Sequence, residues 1–574
     1  MKTDKNIVFK ASARDFEKIP ESPIAYWVSH NFRKLFNAIT VADISSPRRT
    51  LQPGNVPRFT RFWYEVSRLR IALPLNHQCS RKWFPMSSGG EQRKWYGNLE
   101  VVVNWENNGA EIKAFEKSII PSEDKYFQEA IGWSRISTGD IMMRYYPKNL
   151  LHGDATGCIF DTGEKTYFLL AFFNSPISTE LLKIINPTIT FTRGSIASVP
   201  IQQISLQGKE ISLITSRCIL LSRADWNQYE TSWDFERSPL LAASQPHVAL
   251  SEVFDKVRRD WIEATSELHR LEEENNRIFI EAYGLQDELT PEVPWNEITL
   301  TCNPWYRYGV TPPNPACKEF PVDDALEARM KADTMKEFLS YAVGCMFGRY
   351  SLDKPGLVLA NQGETLADYL QQIPQPTFRP DEDNVLPILD EDWFADDIVT
   401  RFNEFLKVSF GEDRYYENLA FIEDALGKDV RSFFLKDFYK DHLQRYHNRP
   451  IYWLFSSPKG AFNALVYMHR YRPETVGTVL TYLRSHITKV SERIHALEII
   501  IDSPDSTASM KSKAIRECAK LQKSLQELED YERDVLYPLA TEKIDLDLDD
   551  GVKVNYRKFG NALFKVKGLE TKED

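Results

Sequence analysis

The first part of the chain, to about residue 200, has the hydrophobic pattern of short strands. Segments rich in β-branched and aromatic residues alternate with Gly, Pro and Asn, and the run 99–105 is typical of a strand followed by a turn at 107–109 (Asn-Asn-Gly). The apolar run 167–174 is too short to distinguish a strand from a buried helix. This part is therefore predicted to mix strands with helices.

Beyond about residue 222 the apolar residues recur every three or four positions, which is the period of amphipathic helices. Between 478 and 536 two such apolar series are separated by a polar, Pro-containing break at 502–506. That spacing predicts an antiparallel helical hairpin of the coiled-coil type, which often serves as a spacer between domains. The tail from residue 545 is predicted to contain short strands.

The predicted fold class is α+β, with a β-rich domain followed by a mainly helical region that contains the long hairpin. A chain of 574 residues is long enough for several domains. We divide it into an N-terminal connecting segment, a β-rich domain, a helical and linker region, a helical C-terminal domain, the hairpin and a tail: 1–38, 39–221, 222–359, 360–477, 478–540 and 541–574.

Composition restricts the class of protein. The sequence has no apolar run of about 18 residues and no apolar core of a signal peptide near its start, so we expect a protein that does not span a membrane. Its seven cysteines are scattered and contain no C-x-x-C pair, which is typical of reduced thiols in the cytoplasm.

Charge is distributed unevenly along the chain. The net charge is −11, yet residues 1–150 carry 23 Lys and Arg against 15 Asp and Glu. The part after residue 220 holds 43 basic and 62 acidic residues. Such an asymmetry suggests an anionic partner for the N-terminal part, and the alternative is a solvated basic face.

The basic residues concentrate between positions 48 and 94, where ten Lys and Arg face only two Glu and alternate with aromatic residues. Lys and Arg attract phosphates, whereas Arg, Asn and Gln can contact base edges and aromatic rings can stack. The alternative is that the rings are core and the arginines its rim. Asn55, Gln78, Gln92 and Asn98 are candidate base readers. The candidate DNA-binding residues are Arg48, Arg49, Arg58, Arg61, Arg81, Lys82, Arg93, Lys94, Trp95, Tyr96 and Asn98.

Methyl-transfer chemistry has only a partial motif. Amino-methyltransferases use Asn-Pro-Pro-Tyr or a close variant after a strand, to hold the amine and stack the flipped base. Here Asn303-Pro304 is followed by Trp305. No Gly-rich loop with strand–loop–helix spacing is visible, because neither Gly89-Gly90 nor Gly153-x-x-x-Gly157 has that setting. We therefore interpret Asn303 as a loop residue and expect no catalytic or cofactor-binding residue in this chain.

Two further patterns are weak indications of metal chemistry. Glu111-x-Lys113, with Glu100 on a preceding strand, matches the short pattern of a metal-dependent nuclease, although such a pattern often occurs by chance. His442 and His447 lie five residues apart, which does not place two zinc ligands on one helix face. No metal site is expected, and the nuclease stays as an alternative function.

The whole sequence resembles the PglX-type adenine-specific DNA methyltransferases of BREX, the bacteriophage-exclusion systems. The resemblance is carried by long, unusual segments such as KIPESPIAYWV and RPIYWLFSSPKG, and by Trp226. In order, the matching segments are 18–28, 93–98, 103–106, 230–235, 276–280, 283–292, 350–356, 434–439 and 449–460.

The resemblance implies a function in DNA recognition. Only the C-terminal portion of the family's fuller chains is similar to this chain, whereas their N-terminal portion holds the S-adenosylmethionine-dependent domain. Residues 39–201 also look like the target-recognition domains of type I specificity subunits, and the hairpin looks like their spacer. The chain is expected to be an engineered truncation or a separately encoded half of such an enzyme.

The expected partners are double-stranded DNA, the methyltransferase domain in cis or in trans, and other BREX proteins. S-adenosylmethionine would be a cofactor of the parent enzyme and not of this chain. A non-catalytic protein-interaction scaffold, in which the hairpin and the acidic half bind protein, is a second alternative.

Overall fold

The computed structural model describes residue 20 and residues 27–73, 81–137, 139–186, 188–202, 208–245, 247–315 and 317–569. The chain divides into two compact units that interleave in sequence. Unit 1 comprises Met1–Arg61, Arg70–Ser232 and Arg258–Glu327, and unit 2 comprises Phe62–Leu69, Trp233–Val257 and Ala328–Asp574. Unit 1 thus includes residues 258–327, which the sequence-based division assigned to the helical and linker region.

The strands of unit 1 are short, as predicted, and form three small antiparallel or mixed sheets. The sheet orders are β1-β10, β2-β9-β6-β7 and β3-β5-β4-β8, with β4 and β8 parallel. The strands are β1 Ile39–Thr40, β2 Ser46–Arg48, β3 Thr60–Phe62, β4 Trp83–Ser87, β5 Val101–Asn104, β6 Ala130–Ser134, β7 Met143–Tyr146, β8 Leu151–His152, β9 Thr156–Phe160 and β10 Pro200–Ile201.

The described residues of unit 2 form one antiparallel sheet, with the order β11-β13-β12. Its strands are β11 Leu386–Pro387, β12 Tyr452–Ser456 and β13 Asn463–Tyr467.

Helices are distributed over the whole chain, so the α+β prediction is confirmed. The helices are α1 His30–Leu35, α2 Val41–Ile44, α3 Val56–Phe59, α4 Glu106–Ala114, α5 Thr166–Phe173, α6 Pro176–Ile185, α7 Arg193–Ala197, α8 Lys209–Trp226, α9 Pro239–Ala243, α10 Leu250–Tyr283, α11 Pro304–Arg307, α12 Asp324–Met346, α13 Leu366–Gln372, α14 Ile398–Phe410, α15 Tyr415–Leu426, α16 Val430–Phe433, α17 Tyr439–Arg445, α18 Thr475–Asp502, α19 Ala508–Tyr531, α20 Tyr537–Glu542 and α21 Val552–Asn555.

The helical hairpin lies where the hydrophobic period placed it. It consists of α18 and α19, and the ion pairs Arg484–Glu532 and Arg493–Glu517 show that the two segments run antiparallel. The connection contains Pro504, which cannot continue a helix. The next helix starts because the side chain of Thr507 accepts a hydrogen bond from the backbone of Met510 and caps α19.

The core of unit 1 is built from its aromatic residues. One cluster packs the side chains of β4, β5 and α4 together, including Met86, Val103 and Ile112. A second group packs Phe168 and Phe172 of α5 against α10. The undecided run 167–174 is therefore a buried helix, since all of its apolar side chains except that of Tyr167 are buried.

The core of unit 2 contains the segment Phe62–Leu69, far from its neighbours in sequence. The hydroxyl of Tyr64 donates to the carbonyl of Tyr446, and the Nε2 atom of His469 lies 3.2 Å from the carbonyl of Val66. Arg349 is fully buried beside the rings of Trp63 and Tyr467. The contacts of Tyr64 and Val66 join residues that are 382 and 403 positions apart, so no local pattern could have shown them.

Two local expectations differ from the structure. The tail beyond residue 545 forms helical turns at Leu548–Asp550, Val552–Asn555 and Tyr556–Ala562, so the expected strands there are wrong. The turn at 107–109 exists with left-handed backbone angles, but it forms the beginning of α4.

No single helix among the described residues is long and apolar enough to cross a membrane. The segments Gly163–Phe173 and Pro176–Ile185 pass that test of length and composition only as a pair, and they are bent by 81°.

Candidate nucleic-acid interface

The basic stretch 48–94 divides into an exposed part and a buried part. Arg48, Arg49 and Arg58 are exposed, whereas Arg93 and Lys94 are buried, with 2% and 8% of their surface accessible. Only exposed cations can reach a phosphate without unfolding, so the exposed part alone can contact DNA directly.

Arg48 and Arg49 lie at one end of the sheet β2-β9-β6-β7. Arg48 is the last residue of β2 and pairs with Cys158 of β9. The hydroxyl of Thr50 donates to the carbonyls of Gly153 and Thr156, which fixes the backbone immediately after Arg49. The Arg49 guanidinium donates to the side chain of Gln52 at 3.1 Å, which leaves the cation at the surface.

Two loops lie at the same end of the sheet. Because β9 is antiparallel to both β2 and β6, the last residue of β6, Ser134, pairs with Thr156 at the start of β9, and the last residue of β2, Arg48, pairs with Cys158 two residues further on. The Gly89 amide donates to the hydroxyl of Thr156, and the hydroxyl of Ser134 donates to the carbonyl of Gly90. The loop 88–92 and the segment after Ser134 therefore lie together with Arg48 and Arg49, and we call this end of the sheet the reading edge.

The segment after Ser134 forms a narrow antiparallel ribbon with residues 189–191. The Ser137 amide donates to the carbonyl of Ile189 at 3.1 Å, and the Phe191 amide donates to the carbonyl of Arg135 at 2.9 Å. Ile136 and Ile189 are 69% and 59% exposed, which is unusual for isoleucine. Arg135 and Arg193 are exposed, and both lie at the end of the ribbon where Arg135 pairs with Phe191. Arg135 also donates to the backbone carbonyl of Asp154 at 2.9 Å, and its guanidinium lies 3.8 Å from the carboxylate of Asp154.

Gln92 is the candidate base reader that lies at the reading edge. It is exposed, and its amide donates to the hydroxyl of Ser137 at 3.0 Å. The Tyr306 hydroxyl donates to the backbone carbonyl of Gln92 at 2.6 Å and holds this loop. Gln92 and Ser137 line a cavity of about 250 Å³, together with Glu91 and Asp140.

The other candidate readers are engaged or lie outside the described residues. The side chain of Asn55 accepts from the Arg58 amide and caps α3. Asn98 has a left-handed backbone, with φ 57°, and its amide donates to the carbonyl of Glu91. Gln78 lies outside the described residues.

The candidate cations in the middle of the stretch, between positions 58 and 82, lie in or next to the strands of the other sheet, β3-β5-β4-β8. Arg58 pairs with Glu111, and two of its nitrogens donate to the same carboxylate oxygen at 3.1 and 2.7 Å. Arg61 lies over the ring of Trp83, and the Lys82 ammonium lies 5.3 Å from the centre of the same ring. Arg81 donates to the carbonyls of Ile71 and Leu73. These side chains are half-exposed or exposed, but they are anchored by protein partners.

Arg93 is neutralised inside unit 1. Its guanidinium contacts Asp225 at 2.6 Å and also donates to the Thr301 hydroxyl and the carbonyls of Tyr96 and Ser222. Burial opposes the charge, but Asp225 together with the nearby hydroxyls of Tyr306 and Tyr229 outweighs it, and the pKa of Arg93 is raised above its usual value. Arg93 is thus paired inside the protein, and its charge is not available to DNA.

Lys94 and Trp95 share one carboxylate. The Lys94 ammonium contacts Glu272 at 2.6 Å, and the indole of Trp95 donates to the other oxygen of Glu272 at 2.7 Å. Trp95 and Tyr96 are buried, with 0% and 3% of their surface accessible. The candidates Arg93, Lys94, Trp95 and Tyr96 therefore hold the loop 88–98 to α8 and α10, and their side chains are not at the surface.

The possible methyltransferase residue Asn303 has a structural task. Its side-chain oxygen accepts from the Trp305 amide, and its amide donates to the carbonyls of Trp295 and Ile298. The residue is fully buried, with 0% of its surface accessible. The whole polar group is committed to the backbone, as we expect for a loop residue.

The glycines considered for a cofactor loop do not fit S-adenosylmethionine. Gly89 and Gly90 follow β4, and the loop after them carries the buried residues 93–97 and no helix. Gly157 lies inside β9, where a Cβ atom would come within 2.2 Å of Trp133. No step of methyl transfer is therefore assigned to these residues.

The alternative nuclease residues are held in ion pairs. Glu111 and Lys113 lie on α4, where Glu111 also accepts from the amide of Asn104 and Lys113 pairs with Glu123. Glu100 lies immediately before β5. Within the described ranges there is no group of three His, Cys, Asp or Glu residues that could hold a metal ion.

Sequence reasoning missed several residues of the reading edge and its support. The sequence contains one local indication of the segment 135–137, which is that it follows a strand-like run. Arg144 is fully buried and donates to the carbonyl of Arg93 and the hydroxyl of Ser134. The acidic partners Asp225 and Glu272 lie 132 and 178 residues from their cations.

Known proteins add independent information. No family model matches the sequence. The chain is 36% identical over 578 residues to the adenine-specific methyltransferase BrxX of Escherichia coli O9:H4 (strain HS), which covers 97% of this chain and 46% of that protein. It is also 36% identical over 580 residues to the adenine-specific methyltransferase PglX of Lacticaseibacillus casei (strain Zhang), with 96% and 45% covered.

The similarity extends over nearly the whole chain, and the chain spans about half the length of the curated relatives it matches. The predicted resemblance to PglX-type adenine-specific methyltransferases is confirmed at this level. Which portion of such a protein this chain represents stays a prediction.

Proposed function

We propose that this chain is the DNA target-recognition part of an adenine-specific DNA methyltransferase of the BREX type. It binds duplex DNA, selects a short site, and positions an adenine for a methyl-transferring domain that lies outside this chain. That domain would be supplied by a longer chain or by a separate protein. In the parent system the methyl mark would identify host DNA as self.

The reading edge is the observation that carries the proposal. It combines two exposed arginines at the end of β2 with a two-stranded ribbon that has two exposed cations, Arg135 and Arg193, at one of its ends. The major groove of B-DNA admits such a ribbon, and arginines beside it can contact phosphates. Gln92 and Ser137 are the groups at this edge that can contact base edges.

The sequence candidates receive different tasks in this proposal. Arg48, Arg49 and Arg193 contact phosphate at the reading edge, whereas Arg135 is held at Asp154 and adds to the wider electrostatic attraction. Arg58, Arg61, Arg81 and Lys82 can contribute only to the wider electrostatic attraction, since protein partners anchor their side chains. The buried residues Arg93 to Tyr96 position the loop and contact no DNA.

The proposal includes partners but no cofactor for this chain. Double-stranded DNA binds unit 1, whereas the acidic helical part and the hairpin would contact the methyltransferase domain and other BREX proteins. S-adenosylmethionine would bind in that other domain. We place the assembly in the cytoplasm, where the DNA to be marked is located.

Site selection from a random duplex library tests the proposal. The purified full chain is expected to enrich a motif, and Gln92→Ala is expected to relax the preference at one or two positions. Loss of a bidentate base contact corresponds to about 1–3 kcal/mol of discrimination. Gln128→Ala is the matched control, because Gln128 lies just before β6, at the end of that strand that is farthest from Ser134 and the reading edge. An absence of enrichment by the wild type, or an unchanged motif with Gln92→Ala, contradicts this assignment.

The two alternative functions give different results in the same preparation. A nuclease would cut the library in the presence of Mg²⁺ and lose that activity on Glu111→Ala. A protein-interaction scaffold would show no DNA binding even at low salt.

A further inference from the structure

A second cavity, in unit 2, lies between the base of the helical hairpin and the segments 389–393 and 459–461. Its volume is about 670 Å³, which is in the range of sites for small organic ligands. It is formed within one unit and is independent of the reading edge in unit 1.

The walls of this cavity combine apolar and basic side chains. Leu389, Leu435 and Val490 line it, together with the rings of Trp393 and His486, whose centres are 5.1 Å apart. Burial lowers the pKa of His486 to about 4, so this ring is neutral at physiological pH. One side of the cavity therefore offers a neutral aromatic surface.

The helix α19 contributes three cations to the lining of the cavity. Arg516, Lys520 and Lys523 are separated by four and three residues, which places them on one face of the helix. Lys459 lines the cavity from the loop between β12 and β13. Four cations thus surround one cavity in the part of the chain that is strongly acidic overall.

Three of these cations have no counter-ion among the described residues. Lys520 pairs with Asp390 at 3.0 Å. Lys459, Arg516 and Lys523 form no side-chain ion pair or hydrogen bond with the part of the chain that the structure describes. Many other exposed cations of unit 2 are paired with a carboxylate, including Lys428, Arg484 and Arg493. The cavity therefore has an unbalanced positive charge.

The second carboxylate in the cavity wall does not remove this excess. Glu527 accepts from the hydroxyl of Ser457 at 2.6 Å and from the backbone amides of Lys459 and Ala461 at 2.7 and 3.4 Å. Its charge is satisfied by the loop that it fixes. Glu527 thus holds the loop so that the Lys459 side chain remains at the cavity.

We propose that this cavity binds a nucleotide, with its phosphates at Lys459, Arg516 and Lys523 and its base against Trp393. Cationic side chains form strong, charge-assisted hydrogen bonds with phosphate oxygens, and aromatic rings stack on bases. A concave site with an aromatic wall fits a small nucleotide better than the outer face of a duplex. The proposal does not depend on the function of the reading edge.

Calorimetric titration of the full chain with ATP, and separately with inorganic tripolyphosphate, tests the proposal. We expect ATP to bind and tripolyphosphate to bind at least tenfold more weakly, because it lacks the base. Arg516→Gln with Lys523→Gln is expected to weaken ATP binding by about tenfold or more, since two charge-assisted hydrogen bonds are lost. Trp393→Leu is expected to reduce the preference for ATP over tripolyphosphate.

Lys511→Gln with Lys513→Gln is the matched control, because these cations lie on the same helix but outside the cavity. We expect this control to bind ATP as the wild type does. Equal losses in both double variants, equal affinity for ATP and tripolyphosphate, or no ATP binding at millimolar concentration would overturn the proposal. A loss of duplex DNA binding in Arg516→Gln with Lys523→Gln, without ATP binding by the wild type, would assign these cations to DNA instead.

Discussion

The two ends of the basic stretch in unit 1 carry the same kind of residue pair and have opposite environments. Arg48-Arg49 lies exposed at the end of β2, whereas Arg93-Lys94 is buried beside Asp225 and Glu272. The first pair is available to an anionic partner, and the second fixes a loop. A local excess of positive charge in a sequence therefore contains both binding residues and structural residues.

The two pairs differ in whether a distant part of the chain supplies carboxylates beside them. The carboxylates that neutralise Arg93 and Lys94 come from α8 and α10, in the region that the sequence shows as acidic and helical. The structural pair is in turn useful to the reading edge, because it anchors the loop that presents Gln92. The position of Gln92 at the surface thus depends on the buried ion pairs of Arg93 and Lys94.

The largest expected effect is on the buried pair. Lys94→Met leaves the Glu272 carboxylate buried without its cation, and removing one partner of a buried ion pair costs about 3–5 kcal/mol. We expect the free energy of unfolding, measured by urea titration, to fall by that amount.

A second substitution separates lost charge from lost packing. Glu272→Gln retains an oxygen for the indole of Trp95 and removes the unpaired charge, so Lys94→Met with Glu272→Gln should recover much of the loss. Lys148→Met, at an exposed lysine of the same unit, should change stability by less than about 0.5 kcal/mol. A stable Lys94→Met single variant would contradict the structural role.

Periodicity predicted the helical elements well. The series of apolar residues in 249–283 corresponds to α10, and the polar break near 502–506 corresponds to the connection between α18 and α19. Helix and strand periods depend on neighbouring residues only, and for that reason they can be recognised locally. The strand-like tail failed because its short apolar segments carry no clear period, and packing in unit 2 determines their conformation.

The candidate site was predictable only in part. Arg48, Arg49 and Gln92 were recognised because their residue types are those that contact DNA. Arg135 and Arg193 were missed, since they join the site through antiparallel pairing and not through sequence proximity. Burial of Arg93 and Lys94 required knowledge of partners more than 100 residues away.

An effect of intermediate size on the free energy of unfolding is expected from the buried residue His152. Burial lowers the pKa of His152 to about 4, compared with about 6.5 in the unfolded chain. Below pH 6.5 the unfolded chain therefore binds a proton that the folded chain does not bind, and stability is lost as the pH falls toward 4. Between pH 7.5 and pH 5 this group should reduce the free energy of unfolding by about 2 kcal/mol.

Urea titrations at the two pH values check this effect. His152→Asn, which cannot titrate, should show a smaller loss of stability on acidification than the wild type. His495→Asn is the matched control, because the His495 side chain is 76% exposed, and its pH dependence should equal that of the wild type. An identical acid response in all three proteins would contradict the buried, neutral state of His152.

The smallest effect on stability is expected at the exposed pair. Arg48→Gln with Arg49→Gln removes two exposed charges at the end of β2, so the free energy of unfolding should change by no more than about 0.5 kcal/mol. Thermal unfolding would measure it. A loss of several kcal/mol would mean that these arginines are structural, as Arg93 and Lys94 are.

The dependence of duplex DNA affinity on salt concentration tests the central claim most directly. Each phosphate contact contributes about 0.9 to the slope of log K against log salt concentration. The wild type should bind with a steep negative slope, and Arg48→Gln with Arg49→Gln should flatten it by about 1 to 2. Lys148→Gln with Lys165→Gln, at the opposite end of the same sheet, should retain the wild-type slope. Equal slopes in all three proteins, or no binding by the wild type at low salt, would contradict the assignment of this edge to DNA.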